Sequence, residues 1–240
     1  MSMFCYQCEQ AGKGKGCTTI GVCGKDAEVA ALEDLLVHAL KGIAVYGQLA
    51  RELGAKDRAV DLFVIEGLFT TVTNVDFDPV RLEGILHQAF EIQQHARNLF
   101  LDAYKKKMGH DFEGSLPGVV RWRPAATLKG LIEQGGDAGI FADPSLNEDI
   151  RSLRELLLYG LKGMAAYADH AWVLGKEDEE VTAWFHKGLK ALTDDKLTVE
   201  DLVRLNMEFG QVNLKCLALL DKANTDHFGH PVPTPVFLGV

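Results

Sequence analysis

Residues 32–54 read LEDLLVHALKGIAVYGQLARELG, and residues 153–175 read LRELLLYGLKGMAAYADHAWVLG. The two stretches align without a gap at a constant offset of 121, with 11 of 23 positions identical. In the first, Leu32, Leu35, Leu36, Ala39, Leu40, Ile43, Ala44, Gly47 and Ala50 recur at i, i+3, i+4 and i+7, the period of a helix with one apolar face. Asp26 is its expected N-cap and Gly54 its stop. The same offset pairs Gly67-Leu68 with Gly188-Leu189. Shifted by one, it pairs the helix start at Asp78-Pro79 with Thr198, where Thr198-x-x-Asp201 has the form of a capping box. The chain therefore reads as a duplicated unit.

Each unit holds three helices. In the first half they run from Asp26 to Gly54, from about Arg58 to Val72, and from Asp78 to about Lys107. The basic run Lys105, Lys106 and Lys107 before Gly109 suits a solvated helix end, where cations complement the macrodipole. The expected fold class is all-α: a Cys-rich loop at 1–26, a three-helix bundle at 27–108, a linker at 109–147, a second bundle at 148–220, and an extended tail at 221–240. Pro117, Pro124, Pro144 and many glycines mark the linker, with one short helix near 125–134. Glycine inside a helix costs about 1 kcal/mol relative to alanine. The repeated Lys-Gly at 41–42 and 162–163 thus predicts equivalent close helix contacts at Gly42 and Gly163. The tail ends in β-prone residues among prolines, a strand without a partner.

Composition narrows the function classes. The 34 acidic and 25 basic residues give a net charge of −9, which argues against nucleic acid or anionic membranes as partners. No apolar run is long enough to span a bilayer, and the start MSMFCYQCEQ lacks the form of a secretory signal. Four of the five cysteines, Cys5, Cys8, Cys17 and Cys23, form a C-x2-C-x8-C-x5-C series among glycines. A secreted disulfide scaffold spreads its cysteines through a small chain without a core. Cysteines gathered at one end of a core-rich chain suit a metal or iron–sulfur site in the cytoplasm.

Three readings of the four thiols compete. A structural zinc site commonly uses two paired knuckles, and here the second knuckle is missing. Two disulfides do not suit a cytoplasmic chain. An iron–sulfur cluster takes thiolates at separated corners, and Gly12, Gly14, Gly16, Gly21 and Gly24 let backbone bend around it and aim N–H groups at sulfur. Lys13, Lys15 and Lys25 lie close by, either facing the cluster's negative charge or in solvent. GKGKGC lacks the remaining residues of a phosphate loop.

FCYQCEQ…GC…GVCGK, followed by LEDLLVHALKGIAVYG, SLRELLLYGLKGMAAYADHAWVLG and LLDKANTDHFGHPVPTPVFLGV, resembles the hybrid cluster proteins. These are also called prismane proteins or hydroxylamine reductases, and are relatives of nickel carbon monoxide dehydrogenases. The resemblance covers essentially the whole chain. It implies a helical first domain of two three-helix bundles, with Cys5, Cys8, Cys17 and Cys23 ligating a 4Fe–4S cluster; members with longer gaps carry 2Fe–2S. It also implies that the hybrid iron–sulfur–oxygen cluster, and all its ligands, belong to downstream α/β domains beyond Val240. On this reading the domain relays electrons from a ferredoxin- or NADH-dependent reductase in an oxidoreductase that reduces hydroxylamine to ammonia, and nitric oxide. No residue here is expected to be catalytic, and the tail's strand partners belong to those domains. The alternative is a zinc-stapled helical structural module.

Other candidates weigh less. Glu83, His87, Glu91 and His95 recur every four residues, whereas a di-iron bundle wants Glu-x-x-His on two helices; a solvated face with i, i+4 pairing is expected. Cys216 in NLKCLALLD reads as a buried inert thiol. His227 and His230 are expected in a polar turn.

Overall fold

Asp26, Asp57, Asp78, Thr127, Asn147, Asp178 and Thr198 each precede a helix, and each side chain accepts a hydrogen bond from a backbone N–H of the first turn. Those N–H groups have no partner inside the helix, so these caps fix where the helices begin. In this computed structural model, which describes residues 3–8 and 10–236, they start α1 (Ala27–Glu52), α2 (Arg58–Thr70), α3 (Pro79–Met108), α4 (Leu128–Gly136), α5 (Glu148–Val173), α6 (Glu179–Ala191) and α7 (Val199–Phe228). Thr198 and Asp201 form the reciprocal capping box. The fold is all-α, with no strand among the described residues.

The order α1–α2–α3 recurs as α5–α6–α7, but the two units are not separate bodies. The long helices pair within each unit, α1 with α3 and α5 with α7, while the middle helices cross over. α2 packs on α5, and α6 packs on α1, each more extensively than on its own unit's first helix. One continuous core runs from Val29 through Leu40, Leu68 and Leu86 to Leu161, Phe185 and Cys216.

Residues 109–147, expected as a linker, pack against α1. A 3-10 turn at Gly118–Arg121 and α4 both lie on it. Gly135 of α4 sits so close to the Ala31 carbonyl that no side chain fits. This explains an asymmetry between the repeats. A Cβ on Gly42 would lie 2.5 Å from Gln93 Nε2 and 3.1 Å from the Val119 carbonyl, whereas one on Gly163 would meet nothing within 4 Å. The equivalent contact expected at Gly163 is absent: no side chain of α7 takes the place of Gln93, and residues 118–121 have no counterpart over α5. There the close approach occurs at Gly160, against the Phe209 ring.

Helix α7 runs to Phe228, past position 220, so His227 lies in its last turn and His230 just beyond. Residues 231–236 form no regular element, and the end of the strand-like tail, 237–240, lies outside the described residues. Along α3, His87, Glu91 and His95 are exposed and Glu83 half-buried; His95 pairs with Asp57 at 3.1 Å rather than with a ladder neighbour. Cys216 is fully buried and directed at the Met164 carbonyl, and burial, with Asp178 nearby, pushes its thiol up to about 12. It is inert at neutral pH.

Where the units cross, Asp61 of α2 accepts from His186 Nε2 of α6 at 2.8 Å and from Arg51 of α1 at 2.5 Å, and Arg51 also pairs with Glu179. Burial alone would raise the Asp61 carboxyl; the hydrogen bonds from His186 and Arg51 outweigh it and hold the carboxyl below its usual range. A carboxylate depressed in the folded state stabilises above its unfolded value, and the gain is lost as pH falls through the folded value. Asp61→Asn should therefore cost about 2 kcal/mol in urea denaturation at pH 7. The wild type should converge on the variant as pH drops below about 4. A variant as stable as wild type at pH 7 would remove this clasp from the account.

Candidate metal centre

The four thiols sit on a loop that folds back on itself. Cys5 and Cys17 lie opposite each other in an antiparallel bridge, with Cys5 N–H donating to the Cys17 carbonyl at 3.0 Å and Cys17 N–H to the Cys5 carbonyl at 2.8 Å. Between them the chain turns through a 3-10 turn at Gly12–Gly14. Gly16 has φ 117°, and a Cβ there would come 2.5 Å from the Phe4 ring, so the return to Cys17 requires glycine. After Cys17 the chain turns again at 21–24, with Gly24 N–H donating to the Gly21 carbonyl at 2.9 Å. A Cβ on Gly21 would lie 3.0 Å from Cys23 Sγ.

All four thiols are free; Cys17 is buried and Cys5, Cys8 and Cys23 are half-buried. Backbone donors approach two sulfurs. Gly12 N–H donates to Cys17 Sγ at 3.3 Å, and the Gln7 N–H is close enough to Cys5 to act on its thiol. Burial pushes the Cys5 thiol up, while the Gln7 N–H, Lys25 and Lys162 pull it down. Among the described residues, no three His, Cys, Asp or Glu side chains come close enough to share one metal ion. The thiols are gathered on one loop without meeting at a point. A donor set of four free sulfurs, with N–H groups already on two of them and glycine where a side chain would crowd a third, fits an iron–sulfur group.

Three contacts seat this loop on the helices. Met3, Cys17 and Ala30 form a small apolar cluster against the first turns of α1. Lys25 and Glu33 form an ion pair with both side chains at most 2% exposed, and burial pushes the Glu33 carboxyl up to about 7 against the pull of Lys25. Gln7, with its amide oriented by its neighbours, donates to the Thr71 carbonyl at 2.9 Å and accepts from Lys162 Nζ at 3.1 Å. Lys25 thus belongs to the seat, whereas Lys13 and Lys15 are exposed. Sequence spacing exposes none of these partners, because Glu33 lies on α1, Thr71 just past the end of α2 and Lys162 on α5. The one available signal was polar residues on otherwise apolar helix faces.

A model of the Prismane/CO dehydrogenase family matches residues 3–240. The chain is 53% identical over 239 residues to a hydroxylamine reductase of Geobacter sulfurreducens, 51% over 239 residues to one of Geobacter metallireducens, and 48% over 240 residues to one of Halothermothrix orenii. Each alignment takes in 100% of this chain and 43% of the relative, so the chain spans less than half the length of the relatives it matches. Among the described residues, no helix is long and apolar enough to cross a membrane. On the match over residues 3–240 and the identity along the whole chain, this protein belongs to the Prismane/CO dehydrogenase family.

Proposed function

We propose that this chain is the iron–sulfur electron-relay domain of a cytoplasmic hydroxylamine-reductase-type oxidoreductase, with Cys5, Cys8, Cys17 and Cys23 holding a 4Fe–4S cluster. The observation that carries the reading is the loop itself: four free thiols on one glycine-bent segment, with backbone N–H groups aimed at two of the sulfurs. When bound, such a cluster stores and passes single electrons. The chain's own residues do the rest. The Gly12 and Gln7 N–H groups neutralise part of the charge on the Cys17 and Cys5 sulfurs, the usual means by which a protein tunes a cluster's potential. The buried Lys25–Glu33 pair and the Gln7 clasp hold the loop against α1 and α5, so the sulfurs change position little between redox states.

With four cysteines the cluster has no open ligand position. Substrate binding and turnover are therefore assigned to the downstream part of the longer relatives, together with a hybrid iron–sulfur–oxygen cluster there. An external reductase of the ferredoxin- or NADH-dependent type supplies the electrons. The single C-x2-C knuckle, followed by gaps of eight and five, favours a cluster over a single zinc ion.

Anaerobically prepared protein should be brown, with about four iron and four sulfide per chain. Changing any of Cys5, Cys8, Cys17 or Cys23 to Ser should strip or degrade the cluster, because serine is a poor ligand for a soft site. Cys216→Ser should leave iron and sulfide unchanged. A protein that holds only zinc after anaerobic reconstitution with iron and sulfide overturns the cluster assignment.

The relay role has its own test. The chain should be reduced by dithionite and reoxidised by a mild acceptor, yet show no hydroxylamine reduction with reduced viologen above free iron–sulfide controls. The chain extended to the full length of its relatives should turn over. Robust turnover by the short chain, abolished by Cys17→Ser, would make this cluster the catalyst instead.

A further inference from the structure

Beside the cysteine loop, α1 and α5 face one another across a cavity of about 380 Å³. Asp34, His38 and Lys41 line it from α1, and Glu155, Tyr159 and Lys162 from α5. The offset of 121 maps each member of the first trio onto the second, so the duplicated segment carries an acid-x3-His/Tyr-x2-Lys pattern twice. Positions i, i+4 and i+7 share one face of a helix, and here both faces look into the same space.

The charges are complementary across the gap. Burial pushes the Asp34 carboxyl up to about 6, while Lys162 is the neighbouring charge that pulls on it hardest. Burial likewise lowers Lys41, and its strongest opposing pull is Glu155. Yet none of Asp34, Lys41, Glu155 and Lys162 forms an ion pair within 4.0 Å with any described residue. Lys162 instead donates to the Gln7 side chain. The two arginines at the rim have partners of their own at their terminal nitrogens. Arg154 donates to the Asp194 carbonyl and pairs with Asp195 at 3.4 Å, and Arg151 donates to the carbonyls of Asp143 and Leu146.

We propose that this cavity binds a small zwitterion, a molecule with an ammonium and a carboxylate group a few bonds apart, as in an α-amino acid. A simple anion satisfies the two lysines but faces two carboxyl groups at the same time, and a simple cation meets the converse penalty. A zwitterion answers both, its carboxylate towards Lys41 and Lys162 and its ammonium towards Asp34 and Glu155. The raised carboxyl and the lowered amine are the signs of charged ends that lack a close partner. The volume falls within the range of small-molecule sites. Phe4, Cys5, Tyr6 and Gln7 of the cysteine loop line the cavity as well, and the test requires no iron, so its result is read apart from the cluster assignment.

The experiment is a backbone-amide NMR titration of the chain with glycine, acetate and methylammonium in parallel. Glycine should shift amides of α1 and α5 around the cavity with a dissociation constant on the order of 1 mM. Acetate and methylammonium should each bind at least about tenfold more weakly. Lys41→Met and Glu155→Gln should each weaken glycine about tenfold or more. The exchange Lys41→Glu with Glu155→Lys, which preserves the pair, should retain binding. Acetate or methylammonium binding as tightly as glycine, no glycine shift in the folded wild type, single variants that bind unchanged, or a folded exchange variant that does not bind would each overturn the proposal. The iron and sulfide content of the same samples is read separately, so failure here leaves the cluster assignment standing.

Discussion

Helix α1 has almost no side left for solvent, and the rest of the molecule is arranged around that constraint. Seventeen of its 26 residues are buried, against eight in α5, although the two helices descend from the same repeated pattern. Leu32, Leu36, Leu40 and Ile43 are inaccessible to water. Helices α3, α6 and α4 and the 3-10 turn at Gly118–Arg121 each take a share of its circumference. Burying apolar surface contributes about 25 cal/mol per Å², so a helix covered on all sides anchors more than any helix with one buried stripe. Its first turns also form the platform for the cysteine loop, and its middle turns form one wall of the charged cavity. Core, loop and cavity thus share one rigid support.

Most of the architecture was legible because it rests on local signals. N-caps, the helical period and stop glycines are properties of short segments, and all seven helices begin at side chains suited to that role. What stayed hidden was non-local. Nothing in α2 records that it prefers α5 to its own neighbour, since the apolar stripe is the same whichever partner covers it. The proline- and glycine-rich segment 109–147 looked like a connector, because its packing depends on short elements that reach α1 only after the chain has turned. Gly163 shows the limit of arguing from a repeat. The duplication preserved the glycine but not the neighbours that crowd Gly42, Gln93 of α3 and the Val119 carbonyl.

The cysteine loop was legible in a different way. The spacing of the thiols and the surrounding glycines marked it as a site, and φ 117° at Gly16 is what the glycine-rich composition anticipated. Its seat was not visible, because buried polar pairs leave no period. Glu33 sits next to Leu32 in an apolar stretch, and its partner Lys25 lies eight residues earlier, before the helix begins. The acid-x3-His/Tyr-x2-Lys pattern was present in both copies of the repeat. Apolar identity does not register it, because two of its three positions differ between the copies, Asp34 against Glu155 and His38 against Tyr159.

Those polar positions also bear on how the fold tolerates its own interior. Desolvating an ion pair costs several kcal/mol per ion, and apolar side chains of similar size often do as well or better for stability alone. Lys25–Glu33 is therefore a poor choice if its only task is to add to the core. Its value is directional. Hydrogen bonds fix the position of the Lys25 backbone two residues after Cys23, and the Lys25 carbonyl in turn accepts from Gly21 N–H at 2.6 Å. Gln7 acts likewise two residues after Cys5, between the carbonyl of Thr71, which caps α2, and the amine of Lys162. Apolar contacts with Met3 and Ala30 hold the loop down but do not set its orientation, since hydrophobic attraction is non-directional. A loop that must hold four sulfurs in fixed relation needs both kinds of contact, and here the directional ones fall within two residues of the cysteines at its two ends.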